Sequence, residues 1–259
     1  MDNIIVLKCG GSILEQLSDA FFTSVQKLQE NGYKIIIVHG GGPEIGLMLT
    51  KLNIKTEFIN GLRKTNKEAM EVVEMILAGK VNKQLVSELC SRGLSAIGLS
   101  GTDANLLRAV PIDKETLGYV GDVSEVNSEL LIQLLNLDYI PIISSIGTDI
   151  KGEKYNINAD TAAGKIATAL NAKQLLFVTD VPGIMDNNRL LTCVNTKEIT
   201  NLISTEKIYG GMIPKVMAAC VALKSNLKEV MIVSGKHSFA GENGDVIGTK
   251  IISELEAIQ

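Results

Sequence analysis

Three charged residues occupy unusual positions in the sequence pattern. Lys8 ends an apolar run, just before the paired glycines Gly10 and Gly11. Lys215 lies in the first turn of a predicted helix, where the helix dipole disfavours a cation unless an anion is bound. Asp160 lies at the start of an alanine-rich helix. Each also has an ordinary explanation: a solvated strand end for Lys8, a side chain that reaches water for Lys215, and a favourable helix N-terminus for Asp160.

Four glycine-rich turns follow predicted strands or precede predicted helices. They lie at residues 10–11, 40–42, 180–183 and 210–211. Glycine lets backbone N–H groups approach a phosphate closely, and a helix N-terminus adds its dipole. Any single turn is explained equally well as a tight bend, but several at strand ends indicate phosphate binding. The sequence has neither GxxxxGK[ST] nor GxGxxG after the first strand, which excludes the P-loop and argues against a Rossmann dinucleotide site.

Other polar residues are weaker candidates. Arg63 lies in a loop, where its guanidinium suits a carboxylate ligand but needs none. Asn156 precedes the predicted N-cap Asn158, so it has no capping role and is free to meet a ligand. The two histidines, His39 and His237, have no partner at metal-binding or catalytic-triad spacing. We therefore assign catalysis to neither.

Strand–turn–helix units position these residues. Buried apolar runs at residues 4–8 and 34–38 each end in glycines and are followed by a helical pattern. Such units require a right-handed crossover and a parallel sheet. The glycine turns then lie at the carboxyl ends of the strands, where open α/β sheets bind ligands. Further predicted strands are 95–99, 106–112, 118–126, 139–144, 174–179 and 229–233, and further helices are 66–92, 127–136, 159–170 and 214–225.

Composition excludes several classes of protein. The chain has 259 residues, 46% of them hydrophobic, which is enough for a substantial core. Its net charge of −4 and lack of a basic stripe argue against a nucleic-acid partner. The four cysteines are widely spaced, which argues against zinc sites and disulfide scaffolds. No apolar run approaches the roughly 18 residues of a membrane span, and no signal peptide is recognisable, so we expect no membrane association and a cytoplasmic location.

These patterns predict an α/β fold. We expect a three-layer αβα sandwich around a mainly parallel open sheet, with β-hairpin excursions. We expect two lobes, residues 1–171 and 172–259, with a boundary inside what could be one continuous sheet.

The chain resembles the amino acid kinase family. The matching segments are 8–12 (KCGGS), 39–43 (HGGGP), 60–63 (NGLR), 78–80 (AGK), 118–121 (GYVG), 156–160 (NINAD), 180–183 (DVPG), 211–215 (GMIPK) and 248–249 (GT). They occur in the family's order and span nearly the whole chain. The combination of HGGGP, NGLR, NINAD and GGMIPK is typical of members that phosphorylate N-acetyl-L-glutamate.

The resemblance implies a role for each matching residue. Lys8 and Lys215 would flank the transferred phosphoryl group, and Asp160 would orient both lysines. The residues around the phosphoryl group and the acceptor would be Gly10, Gly11, Gly41 and Gly42, with Arg63 and Asn156 holding the acetylated amino acid. The nucleotide site would contain Thr179, Asp180, Gly183, Ile184, Lys207, Tyr209 and Gly211.

The resemblance also implies substrates, a metal and an assembly. ATP would be the donor, and Mg²⁺ would be held mainly by its phosphates, with no protein ligand. The first lobe would bind the acetylated amino acid and dimerise, and the second would bind ATP. Because only three residues precede the first strand, we expect a homodimer without the N-terminal helix of arginine-inhibited hexameric members. Two alternatives remain: a kinase for a related acid such as N-acetyl-aminoadipate, and a catalytically silent ligand-binding regulator.

Overall fold

Strands and helices alternate along the chain. The computed structural model describes residues 3–14, 16–187, 189–224, 227 and 229–254. The strands are β1 (Ile4–Cys9), β2 (Lys34–His39), β3 (Phe58–Ile59), β4 (Leu62–Arg63), β5 (Ala96–Ser100), β6 (Leu107–Pro111), β7 (Val120–Val126), β8 (Ile140–Ser144), β9 (Ile146–Thr148), β10 (Lys154–Ile157), β11 (Gln174–Thr179), β12 (Met185–Asp186), β13 (Arg189–Leu190), β14 (Cys193–Asn195), β15 (Val230–Ser234) and β16 (Thr249–Ile252). The α-helices are α1 (Gly11–Leu14), α2 (Asp19–Glu30), α3 (Gly42–Lys51), α4 (Lys67–Glu74), α5 (Asn82–Cys90), α6 (Ser128–Asn136), α7 (Ala159–Ala169), α8 (Thr196–Ser204) and α9 (Met212–Leu223).

The core of the molecule is an eight-stranded sheet in the order β14-β16-β15-β11-β1-β2-β8-β5. Its neighbouring strands run parallel except for β15 and β16, which are antiparallel. The inner strands are almost wholly buried along their length, as expected where helices cover both faces of a parallel sheet. The predicted mainly parallel open sheet is confirmed.

Alternate residues of β1 face two different helical layers. Ile5 and Leu7 belong to the apolar cluster formed with α1, α2 and α5. Ile4 and Val6 belong to the cluster formed with α6, α7, α8 and α9. This two-residue alternation produces the predicted three-layer sandwich. A third cluster packs α3 and α4 together beside the sheet.

The strands outside the central sheet form more structure than the predicted hairpin. The strands predicted at residues 106–112 and 118–126 are β6 and β7, and they pair antiparallel. They join β9 and β10 in a small closed barrel, which we did not predict. The pairs β3–β4 and β12–β13 form two short hairpins.

The helix predicted over residues 66–92 contains a π-helical segment, Met75–Val81, between α4 and α5. The chain winds more widely near Gly79 and stays helical through this segment. β1 pairs directly with β11, so one sheet crosses the predicted lobe boundary at residue 171. The division into two lobes stays a prediction.

Candidate active site

Lys8 and Asp160 form an ion pair at the carboxyl edge of the sheet. Lys8 lies two residues after Val6 in β1, so its side chain is on the same face of the sheet, towards α7. The first turn of α7 contains Asp160. The distance between Lys8 Nζ and Asp160 Oδ1 is 2.7 Å. Asn158 caps this helix, because its Oδ1 accepts hydrogen bonds from Asp160 N at 2.8 Å and Thr161 N at 3.1 Å. The cap fixes the position of the carboxylate.

The pair is largely shielded from water. The Lys8 side chain is 12% exposed and the Asp160 side chain 21%. Asp160 Oδ1 is buried and, among the described residues, accepts no well-aligned hydrogen bond. Its contact with Nζ is therefore chiefly electrostatic, and the poor solvation strengthens it.

Lys215 reaches the same edge from α9, which packs against α7. Its Nζ lies 3.8 Å from Asp180 Oδ1. Burial lowers the pKa of Lys215, and the positive charge of Lys8 lowers it further. The negative charges of Asp180 and Asp160 oppose this shift. Lys8 and Lys215 therefore sense each other's charge. The direct partner of Lys215 in this structure is Asp180, whereas we expected Asp160 to orient both lysines.

A small cavity of about 200 Å³ contains the predicted acceptor residues. Its lining includes Lys8, Gly11, Gly41, Gly42, Arg63, Asn156 and Asp160. Arg63 Nη2 donates to Gly42 O at 2.9 Å, and its guanidinium lies 4.5 Å from the Phe58 ring centre. Burial lowers the pKa of Arg63. Asn156 Nδ2 donates to Thr65 Oγ1 at 3.2 Å, so the β3–β4 hairpin, the glycine turn and the barrel meet in this cavity.

The first two glycine turns are in direct contact. A Cβ atom on Gly11 would lie 2.7 Å from the backbone nitrogen of Gly42. A Cβ on Gly41 would lie 2.7 Å from Leu77 Cδ2. Real Cβ atoms do not approach so closely, so close packing against backbone requires glycine at position 11, whereas at position 41 the Leu77 side chain would have to shift.

A larger cavity of about 680 Å³ contains most of the predicted nucleotide residues, and its size is typical of small-molecule sites. Its lining includes Asp180, Gly183, Ile184, Lys207, Tyr209, Gly211 and Lys215. Lys207 Nζ lies 2.7 Å from Asp186 Oδ2, and Tyr209 is 74% exposed. Tyr209 therefore presents a free aromatic surface.

Two predicted site residues line neither cavity. Thr179 is buried, and its hydroxyl donates to Val181 O at 2.8 Å, so it braces the loop behind the nucleotide cavity instead of facing it. A Cβ on Gly10 would lie 3.5 Å from Lys8 Nζ. Gly10 therefore lies beneath the ammonium group of Lys8.

The two cavities meet at the turn between β1 and α1. Gly11 lines the smaller cavity and the next residue, Ser12, lines the larger. Lys8 belongs to the first and Lys215 to the second. Two lysines and a glycine turn at this junction can bind an anion shared between two ligands.

Comparison with known proteins identifies the family. The model of the amino acid kinase family matches residues 3–234. This chain belongs to the amino acid kinase family. It is 58% identical over 255 residues to acetylglutamate kinase of Geobacillus sp. (strain WCH70), covering 98% of this chain and 99% of that one. It is 48% identical over 258 residues to acetylglutamate kinase of Bacillus licheniformis, with both chains fully covered.

Solved structures agree with this assignment. The crystal structure of smu.665 from Streptococcus mutans UA159 superposes with a TM-score of 0.84 at 34% identity, over 97% of this chain and 99% of that one. Carbamate kinase from Giardia lamblia bound to AMP-PNP shares the fold, with a TM-score of 0.66 at 18% identity over 98% and 99% of the two chains. None of the helices described here is long and apolar enough to cross a membrane.

Several cavity-lining residues escaped the sequence analysis, and Leu77 is an example. Leu77, in the π-helical segment, lines the smaller cavity and packs on Gly41. Nothing in its local pattern distinguishes it from a core leucine, because its contact is with a turn 36 positions earlier in the chain.

Proposed function

We propose that this kinase transfers the γ-phosphoryl group of ATP to the side-chain carboxylate of N-acetyl-L-glutamate. One carboxylate oxygen forms a bond to phosphorus as the bond to the bridging oxygen of ADP breaks. The products are N-acetyl-L-glutamyl 5-phosphate and ADP, and the reaction is the second step of arginine biosynthesis. Relatives named acetylglutamate kinase over the full length of the chain support this substrate.

The observation that carries the proposal is the junction of the two cavities at Gly11 and Ser12. A nucleotide in the larger cavity and an acceptor in the smaller would meet there, beside Lys8. Such an arrangement suits in-line transfer between two bound molecules, because positioning supplies much of the catalysis.

The reaction requires charge neutralisation and needs no general base. The acceptor carboxylate is already ionised at neutral pH, so no residue has to remove a proton. The difficulty is that two anions must approach each other. Lys8 and Lys215 would offset this charge, and Asp160 would hold Lys8 in place at 2.7 Å. The amides of Gly10 and Gly11 would add hydrogen bonds to the transferred group.

The acceptor would be held by Arg63 and Asn156. The Arg63 guanidinium is already fixed by Gly42 O and Phe58, so little conformational freedom is lost when it binds a carboxylate. The Asn156 amide would give up or share its Thr65 partner to bind the acetamido group. Gly41 and Gly42 would line the remaining wall.

The nucleotide would occupy the larger cavity, with Mg²⁺ on its phosphates. The ammonium and backbone amide groups at the junction suit phosphate oxygens, and no group of three acidic, histidine or cysteine side chains that could hold a metal is found among the described residues. As the family resemblance implies, the ion would be held mainly by the ATP phosphates, and it would screen their charge.

The test is ATP-dependent acyl-phosphate formation, trapped with hydroxylamine. The acceptors to compare are N-acetyl-L-glutamate, glutamate, aspartate and N-acetyl-aminoadipate. Signal with N-acetyl-L-glutamate alone supports the proposal. Signal with another acid would overturn the substrate while keeping the phosphoryl transfer. No signal from folded protein that binds ATP would overturn the enzymatic function.

We further propose that the protein works as a cytoplasmic homodimer, as its family resemblance implies. Light scattering during gel filtration should give twice the mass of one chain, and cell fractionation should recover the protein with cytoplasmic enzymes. A single-chain mass, or recovery in another fraction, would contradict the respective statement.

A further inference from the structure

One buried polar group has no part in the chemistry proposed above. His39 is the last residue of β2, is wholly buried, and directly precedes the turn formed by Gly40, Gly41 and Gly42. Burial lowers its pKa to about 4, so the imidazole is neutral at pH 7. A neutral imidazole carries one proton, and its two nitrogens therefore have opposite hydrogen-bonding roles.

Asn82 decides which nitrogen carries that proton. Asn82 is fully buried at the start of α5, directly after the π-helical segment. Its Nδ2 lies 2.8 Å from Ile142 O and 3.2 Å from Leu99 O, and both carbonyl groups can only accept. Its Oδ1 lies 3.2 Å from Lys83 Nζ, which can only donate. The amide orientation is thereby fixed from both sides.

The orientation of Asn82 determines the tautomer of His39. Asn82 Nδ2 also lies 3.1 Å from His39 Nε2, so its two protons are shared among three acceptors and Nε2, which faces this donor, carries no proton. The proton is then on Nδ1, which lies 3.0 Å from Gly40 O and donates to it. A second proton on Nε2 would face a donor, which is a further reason for the low pKa.

This hydrogen bond reaches the acceptor cavity through Gly40. The Gly40 carbonyl accepts a hydrogen bond from His39 Nδ1. The backbone N–H of Gly40 donates to Cys9 O at 3.2 Å. With both backbone groups fixed, the peptide leading into Gly41 has a defined direction. Gly41 and Gly42 line the cavity immediately afterwards.

We propose that Asn82 and His39 are a positioning pair, which holds Gly41 and Gly42 in the geometry that the phosphoryl acceptor requires. The inference rests on the proposed kinase function for its catalytic consequence. It places neither residue against a substrate. The pair acts on the acceptor side, because neither residue lines the larger cavity.

Two substitutions of His39 separate positioning from general stability. Asparagine can place a donor near the position of Nδ1, whereas glutamine places its amide near that of Nε2. We expect His39→Gln to lower kcat/KM for N-acetyl-L-glutamate about tenfold or more and His39→Asn to retain it within about threefold. Both variants should bind a non-hydrolysable ATP analogue within about twofold of the unchanged protein.

The matched control is Ser24→Ala. Ser24 is also fully buried, and its hydroxyl donates to Ala20 O at 2.7 Å and accepts from Phe239 N at 3.0 Å, away from both cavities. This variant should lose stability with unchanged kinetic constants. Equal kinetic constants for His39→Asn and His39→Gln, or a parallel loss of ATP-analogue binding, would overturn the proposal.

Nitrogen NMR tests the tautomer without any substrate, so it remains informative if the proposed acceptor is wrong. The chain has two histidines, and a His237→Gln variant leaves the His39 signals alone in the spectrum. We expect a protonated Nδ1 and an unprotonated Nε2 at pH 7. In Asn82→Asp, a carboxylate oxygen beside Nε2 should raise the His39 pKa. A protonated Nε2 in the unchanged protein would overturn the proposal.

Discussion

Replacing Lys8 with methionine removes the ammonium group at the junction of the two cavities and keeps an apolar side chain of similar length. Removal of one preorganised charge-stabilising donor raises the barrier by about 2–4 kcal/mol, which corresponds to a roughly 30- to 1,000-fold fall in kcat. The Lys8 side chain is only 12% exposed, so water cannot readily take the place of Nζ. We expect the effect on kcat to lie in the upper part of this range.

The same substitution should also affect folding. Asp160 Oδ1 would lose its partner at 2.7 Å, and a buried acceptor without a partner costs about 1–3 kcal/mol. Although 21% of the Asp160 side chain is exposed, Oδ1 itself is buried, so water does not readily replace the lost partner and the loss should fall within this range. Urea unfolding measures this change, and hydroxamate formation measures kcat.

The control is Lys114→Met, which removes an ion pair with Glu153 where the lysine side chain is 51% exposed. Such exposed ion pairs contribute little to stability, so the free energy of unfolding and kcat should scarcely change. If Asp160 acts through Lys8, adding Asp160→Asn to Lys8→Met should cost little further activity. A Lys8→Met protein that folds and keeps kcat within about tenfold of normal would refute the assignment.

Three other perturbations test separate parts of the structure. Gly11→Ala should lower the free energy of unfolding by about 1–3 kcal/mol because its Cβ would meet the Gly42 nitrogen at 2.7 Å. The control Gly42→Ala should not lower it, because a Cβ there meets nothing within 4 Å. Equal urea midpoints for the two variants would contradict this packing. The pKa of His39 is about 4 in the folded protein and ordinarily 6.5. As the pH falls, the unfolded chain therefore takes up a proton on His39 before the folded protein does. The free energy of unfolding should fall by about 3 kcal/mol from pH 7 to pH 4. His39→Asn should flatten that dependence in urea titrations, and an unchanged slope would exclude His39 as its source. Asp180→Asn should lower the pKa of Lys215 further and move the alkaline limb of kcat to lower pH; an unmoved limb would show that Asp180 does not tune Lys215.

Local patterns predicted the central elements well because those elements are long and buried. The apolar runs before Gly10 and Gly40 became β1 and β2, and the alanine-rich pattern after Asn158 became α7. The structure brings Lys8 and Asp160 together where the end of β1 and the start of α7 meet at one edge of the sheet. Their contact at 2.7 Å is consistent with an orienting role for Asp160, which only the family resemblance had implied.

The elements that were missed depend on distant partners or on signals we did not use. The strands β9 and β10 are three and four residues long and are defined by pairing within the barrel, which no periodicity shows. Helix α8 carries a capping box between Asn195 and Glu198, a signal that would have located its start. Thr179 was placed in the nucleotide site through the family resemblance, whereas its hydroxyl donates to the carbonyl of Val181 in the following loop. His39 appeared to lack a partner because Asn82 is 43 positions away.

The strand order has a consequence for synthesis on the ribosome. β1 is the first strand to emerge, yet in the folded sheet it lies between β2 and β11. Ile5 pairs with Gln174, which is synthesised about 170 residues later. At about 5–20 residues per second, one edge of β1 stays unpaired for roughly 10–30 s. Such an edge attracts other strands, so the nascent chain is most prone to aggregation in this interval. A chain that stops at residue 171 would keep that edge permanently, so we expect residues 172–259 to be required for the solubility of the segment before them.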